Sequence, residues 1–295
     1  MPFIIALVSL LLLASAALTS VVVPNYKDLT IKTHREVGEL SSSIDTLYLK
    51  GARERSETRV EKPTAANNTI HIGISQCDQK QSIALNPAAK VYARFPIQDW
   101  AERMKRATHV GQNDASGAEV NVTIDSVDTG ERKTFGSYTA RHVTTTTEVE
   151  PMPGASVPES TEIMDGWYID LPGLGCQESD NPIGFIWAST RLGSDRAQRD
   201  RINITHLGTA PHGYALEQTI KRTEEGRTTV GKIELLEFSE APVDAKLFEI
   251  PSGYTPALRT LQGGYDMTKA DTFANRLAQL WAELKASAQR AFNGS

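Results

Sequence analysis

Residues Glu119 to Glu150 read EVNVTIDSVDTGERKTFGSYTARHVTTTTEVE. Val120, Val122 and Ile124 alternate with Asn121, Thr123 and Asp125, the period of a half-buried strand. Asp128-Thr129-Gly130-Glu131 has turn chemistry, with Gly130 free to take positive φ. The return through Lys133 to Val143 and the run Thr144 to Thr147 is β-branched and aromatic, which is poor helix and good strand. The stretch predicts one long β-hairpin that turns at 128–131. The rest of the chain reads outward from it as a sheet protein.

Toward the N-terminus the same period recurs. Leu29 and Ile31 alternate with Thr30 and Lys32 in a first strand, and Leu47 and Leu49 with Thr46 and Tyr48 in a second. Residues 53–61 keep the rhythm but are heavily charged, which reads as a solvated sheet edge or outward face. Ile70, Ile72 and Ile74 point one way; His71, Gly73 and Ser75 point the other. Ile83 with Leu85, then Val91 with Ala93 and Phe95, follow across short turns. Strands at this spacing predict an antiparallel meander. Ile97 to Ala107 predicts one or two helical turns.

Toward the C-terminus, Ile163, Trp167, Ile169 and Leu171 share one strand face. Phe185 to Ala188, Ile202 with Ile204, Tyr214 to Ile220 and Val230 to Phe238 read as further strands, and Pro251, Gly253 and Pro256 close the sheet region. The period then changes. Phe273, Leu277, Leu280, Trp281, Leu284 and Ala288 form the apolar side of an amphipathic helix. Asp271 near its start and Lys285 and Arg290 near its end suit the helix dipole. Its polar side is not strongly basic, so the helix is expected to pack on the sheet.

The 295 residues can bury a real core. A formal net charge of -5, with both signs interspersed, argues against nucleic acid as a partner. Phe3 to Ala17 is an unbroken run of apolar and small residues, and Ala14-Ser15-Ala16 resembles a cleavage site. Export with cleavage is the expectation. An inner-membrane anchor over residues 3–23 is the alternative, because Val21 to Val23 lengthen the run to the ~20 residues that span a bilayer. Cys77 and Cys176 are the two cysteines. In an exported chain they are expected as one disulfide, with two buried free thiols the other reading.

The candidate chemistry is sparse. Six histidines are scattered, and the spacing of His206 and His212 matches no helical metal pair. His142 could meet His71 across a sheet, but ordinary polar strand positions explain both, and no metal site or cofactor is expected. No G-x-S-x-G elbow, P-loop or H-E-x-x-H occurs. Asp165 and Asp170 flank Trp167 and Tyr168, a pair a glycosidase could use, yet they fall on opposite faces of one strand. Asn67, Asn121, Asn203 and Asn293 each head an N-x-Ser/Thr sequon, which also arises by chance in Thr-rich strands.

Several segments together resemble a group of exported bacterial β proteins. They are Leu47-Tyr48-Leu49-Lys50-Gly51-Ala52-Arg53, Gln76-Cys77-Asp78, Leu85-Asn86-Pro87 and Lys90-Val91-Tyr92. Thr129 to Lys133, Gly136 to His142, Asp165 to Asp170 and Leu247 to Tyr254 continue the likeness, which runs from about Asp28 to Tyr254. More broadly the chain resembles the LolA/LppX-like folds, whose curved, incompletely closed antiparallel sheet holds acyl chains under a helical lid. That resemblance implies lipid or lipoprotein binding in the cell envelope.

The expected fold is therefore mainly β: a curved antiparallel sheet, open or a half barrel, with a C-terminal amphipathic helix, α+β in class. Residues 1–20 are the signal peptide or anchor, 21–256 the β domain and 257–295 the C-terminal helical segment. The expected function is non-enzymatic binding of an apolar ligand, a lipid or lipoprotein acyl chain, in a sheet-lined groove. Ile70, Ile72, Ile74, Val122, Ile124, Trp167 and Ile169 are the candidate lining, each equally at home in a sealed core. The rivals are an interaction module with an envelope protein partner, and a hydrolase whose carboxylates or histidines converge in a cleft.

Overall fold

The computed structural model describes residues 23–38, 41–61, 70–97, 118–155, 157–176, 200–208, 213–260 and 264–293, with side chains to 286 in the last stretch. The targeting segment, most of the helical turns expected over 97–107 and the strand expected at 185–188 lie outside them. Two meanders meet at the first strand. β1 (Tyr26–Val37), β2 (Ser41–Gly51), β3 (Arg53–Val60), β4 (Ile70–Gln76), β5 (Gln81–Asn86) and β6 (Val91–Pro96) pair in sequence order. β7 (Glu119–Phe135), β8 (Tyr138–Pro151) and β9 (Ser160–Ile169) lead through β11 (Tyr214–Glu224) and β12 (Arg227–Ser239) back to the free side of β1. β10 (Arg201–Gly208) lies outside β7, and β13 (Thr255–Arg259) and β14 (Tyr265–Ala270) lie outside β6. The result is one open sheet of 14 strands with a C-terminal helix, α1 (Phe273–Asn293).

Two pairings depart from the antiparallel expectation: β10 runs parallel to β7, and β13 parallel to β6. The sheet also continues past Pro256, because β13 and β14 cover Val91 and Ala93 with Ala257, Tyr265 and Met267. The central hairpin turns at Gly136-Ser137 rather than at 128–131. Asp128 to Arg132 is instead a register shift within the ladder, a bulge that bends the hairpin. The longer hairpin carries Phe135 and Tyr138 onto the ring of Phe238, at 6.0 and 5.7 Å between centroids. Gly136 takes φ +54°, and a Cβ there would strike the Glu240 carboxylate that accepts from the Ser137 amide.

The buried face changes sides at β3. On β1 and β2, Leu29, Ile31, Leu47 and Leu49 are buried on one face. Leu49 pairs with Glu54 and Tyr48 with Arg55, and Arg55 pairs in turn with Ile74. Direct partners share a face, so Ile72, Ile74, Ile83 and Leu85 are buried on the opposite side of the sheet. β3 therefore lies inside the sheet, not at an edge. Its charges arise because neither of its faces is wholly apolar.

Two chain segments cover these two faces. Residues 170–176 cross the Leu29 face, where Leu171 and Leu174 join that cluster. They end at the disulfide between Cys176 and Cys77, directly after β4. From β9 to β4 is six strand positions, about 29 Å in a flat sheet at ~4.8 Å each. Residues 170–176 fully extended reach at most about 24 Å, and a turn and a 3-10 turn at Leu174–Cys176 shorten them further. The sheet must curl for the bridge to form. On the other face residues 240–254 lay Val243, Leu247, Phe248, Ile250 and Tyr254 over the isoleucines. Polar side chains pin that segment: Arg55 donates to the Leu247 carbonyl at 2.9 Å, Gln76 to the Phe248 carbonyl at 2.7 Å, and the Val243 amide donates to Asp28 at 2.8 Å.

Neither of the two covered clusters includes a residue of α1, whose apolar side is exposed. Phe273 is 82% and Trp281 58% exposed. The expected packing of this helix on the sheet, and with it the helical lid that the LolA/LppX-like resemblance implies, is overturned.

Two groups near the first crossing segment are set for measurement. Glu54 accepts from the Gly175 amide at 2.8 Å and from Ser75. Burial nevertheless pushes its carboxyl above the ordinary carboxylate range. A raised folded pKa means that its contribution to stability is fully present below the unfolded pKa and is lost as pH rises through the folded one. Glu54→Gln should therefore unfold at higher urea than the parent at pH 8, with the gap closing toward pH 4. A gap that widens on acidification would contradict this. Replacing Cys77 and Cys176 together by alanine should cost about 4.7 kcal/mol, the chain-entropy value for a loop that closes 99 positions; denaturation of the variant and of the oxidised parent checks it.

Candidate functional site

The second crossing segment leaves part of its face open. Beside it a groove of about 430 Å³ runs across β1–β4 and β12. Thr30, Lys32, Ile44, Thr46, Tyr48, Glu57, Arg59, Ile70 and Glu237 line it. The register explains why these residues meet. Lys32 faces Thr46 on β2 and Glu237 on β12, Thr46 faces Glu57, and Ile44 faces Arg59, which faces Ile70. All therefore point from one side of the pleat. The volume falls within the ~300–1,000 Å³ of ligand clefts.

The lining is mixed. Ile44, Tyr48 and Ile70 are apolar surface, and Tyr48 and Ile70 also pack against the buried isoleucine cluster. Burial, then the nearby Glu57 charge, raises the Tyr48 phenol, so it stays a neutral hydroxyl. Glu57 is engaged by Arg55 at 2.6 Å. Lys32 and Arg59 make no ion pair with the described residues. The groove thus sets the apolar surface of Ile44, Tyr48 and Ile70 beside two cations that are unpaired among the described residues and the carboxylates of Glu57 and Glu237, a chemistry that matches an amphipathic ligand better than a purely apolar one.

The seven residues expected to line one groove are distributed over three clusters. Ile72 and Ile74, with partly buried Ile70, lie under the second crossing segment. Val122 and Ile124 belong to a cluster with Val120 and Val149, against which Ala155, Val157 and Ile202 pack. Ile169, with Trp167 packed against it, belongs to the Leu29 cluster. Of the seven, Ile70 lines the groove described above. Lys32, Tyr48 and Arg59 were not singled out by sequence reading. A lysine or arginine at an alternating strand position reads as solvated surface, and only the pairing of four strands shows that these side chains converge.

The histidines do not converge. His71 is on β4 and His142 on β8, with β9, β11, β12 and β1–β3 between them. His142 instead joins its own hairpin. Its Nε2 is 3.1 Å from Asp165, its Nδ1 is 3.1 Å from the Thr129 hydroxyl, and its ring lies tilted against Trp167, 4.9 Å between centroids. Hydroxyl, imidazole and carboxylate stand in line, but on the open face of the sheet rather than in a cleft. Thr129 also donates to the His142 carbonyl at 3.3 Å, so the bulge uses it as a ladder contact. Asp170 is bound separately by Arg141. Among the described residues no three His, Cys, Asp or Glu side chains gather as a metal site.

No protein-family model matches the chain, and no curated protein matches it. Strand register and side-chain placement therefore carry the functional argument.

Of the three arginines on the groove side of β3, Arg55 and Arg59 differ in burial, and that difference predicts their mutational cost. Arg55 is 8% exposed and bonds both Glu57 and the Leu247 carbonyl. Arg55→Ala leaves both without this partner and should cost about 2–3 kcal/mol. Arg59→Ala, at an exposed position, should change stability by no more than ~0.5 kcal/mol. Urea denaturation of the two variants checks the contrast; equal losses would show that the second crossing segment is not held through Arg55.

Proposed function

We propose that this protein is an exported, non-catalytic binding module that holds an amphipathic ligand, a lipid or lipoprotein acyl chain with its polar head, in the β1–β4 groove. The observation that carries the reading is the apolar surface of Ile44, Tyr48 and Ile70 beside Lys32 and Arg59, which make no ion pair among the described residues. The Cys77–Cys176 disulfide suits an oxidising compartment, and the apolar N-terminal run suits export. Among the described residues no helix is long and apolar enough to cross a membrane. The resemblance to LolA/LppX-like carriers points the same way, although the helix that would act as their lid stands off the sheet.

Native mass spectrometry of the full chain, with lipid extraction of the same sample, tests this reading. A discrete lipid adduct is expected. Tyr48→Ala and Ile70→Asp should each weaken uptake of a fluorescent fatty acid about tenfold, ~1.4 kcal/mol. A clean apo mass with no uptake of the probe would sink the proposal. One observation favours a second reading, an envelope interaction module: the open apolar side of α1, with Phe273 and Trp281 exposed. In that case the lipid assays are blank and removal of 273–293 abolishes capture of a protein partner.

A further inference from the structure

β10 bounds one side of the sheet, and its inner side is already paired. Ile202-Asn203-Ile204-Thr205 lies in parallel register on Val120-Asn121-Val122-Thr123, each residue against its like. Asn203 donates to Asn121 at 3.2 Å. The pairing runs from Arg201 to Gly208 without a register shift.

Among the described residues, the outer side of β10 carries none of the usual protection of a sheet edge. Natural edges are kept apart by proline, lysine, a bulge or a very short strand. β10 has no proline, no lysine and no bulge, and its one formal charge, Arg201, is bonded to Glu119 at 3.1 Å. The opposite edge differs. β14 carries Asp266 and Lys269, and its pairing with β13 is shifted by a bulge.

An apolar row also stops short at β10. Val149 pairs with Val122, and Val122 with Ile204. Val149 and Val122 are each 3% exposed, whereas Ile204 is 52% exposed. The next strand position would bury it.

We propose that the outer edge of β10 pairs antiparallel with β10 of a second copy of this chain, about a two-fold axis through Ile204. Direct partners in an antiparallel pair share a face, so the axis must pass through a residue for apolar positions to meet. With the axis at Ile204, that side chain meets its own copy. Asn203 falls opposite Thr205, and Ile202 opposite His206. An axis at Asn203 would leave positions 206–208 unpaired. The closed two-fold also consumes both exposed edges at once, where a parallel addition would leave a new one.

The experiment uses the full chain in analytical ultracentrifugation, then two single-cysteine additions to probe register. A dimer is expected at micromolar concentration. Ile204→Lys should raise its dissociation constant at least tenfold, with an unchanged far-UV melt because the position is exposed in the monomer. Ile204→Cys should give a reducible covalent dimer on mild oxidation, since the two thiols face each other across the axis. Leu207→Cys, opposite Arg201, should not. A parent that stays monomeric at 100 µM, including one that takes up only an extended peptide from another protein, overturns the proposal. So does a dimer that Ile204→Lys leaves intact, or equal cross-linking at 204 and 207. None of these outcomes bears on the groove, which lies beyond β8, β9 and β11.

Discussion

The pairing of β1 with β12 is the constraint on which the molecule depends. β1 is the first strand of the sheet in sequence, yet it stands near the middle in space, bonded to β2 on one side and to β12 on the other. Without that second pairing, β1–β6 and β7–β12 would be two sheets with four exposed edges. With it they become one. The contact joins residues about two hundred positions apart, Thr30 to Ser239 and Val37 to Gly231. Loop closure of that length must precede the reward, so the sheet is expected to be a slow, non-local folder. The bulge between Lys32 and Thr33 lies within this same pairing and adds twist where the two halves meet.

A single sheet this wide cannot bury both faces against another sheet, and this one does not. It covers each face locally with a length of its own chain. Residues 170–176 seal Leu29, Leu49 and Ile169; residues 240–254 seal Ile72, Ile74 and Ile83. Each is tied down by a contact distant in sequence, the first by the disulfide and Glu54, the second by Arg55, Gln76 and Asp28. These tethers are polar or covalent because a short irregular segment has backbone groups to satisfy and little apolar area to offer. The groove is what the second segment leaves uncovered. Its floor is an extension of the isoleucine core.

Much of the architecture was legible as period. Strict alternation at Ile70, Ile72 and Ile74, or at Val120, Val122 and Ile124, specifies a strand and its buried side, because successive side chains leave opposite faces of the pleat. Gly130 and Gly136 illustrate where period fails. Both take positive φ, and both sit in sequence that could turn a hairpin. The choice fell to Gly136 because only the longer hairpin carries Phe135 and Tyr138 to Phe238. β3 is the complementary case. Its charges look like an edge until the change of buried face between β2 and β4 is known. The candidate lining residues fall into three clusters for a similar reason: alternation says that Ile74, Ile124 and Ile169 are buried, but not that they are buried together.

The chain alone specified most of the strands and the amphipathic helix, since each of these is set by local chemistry; it left the two cysteines as a disulfide or as buried thiols, and their bridge is seen in the tertiary structure. The tertiary structure alone decided strand order, the parallel placement of β10 and β13, the exposure of the helix and the convergence of Lys32, Tyr48, Arg59 and Ile70. The physical reason is the same throughout. Side-chain direction repeats every two residues and is written in the chain, whereas a neighbour across a hydrogen-bonded ladder is chosen by which faces remain to be covered once the whole sheet has assembled.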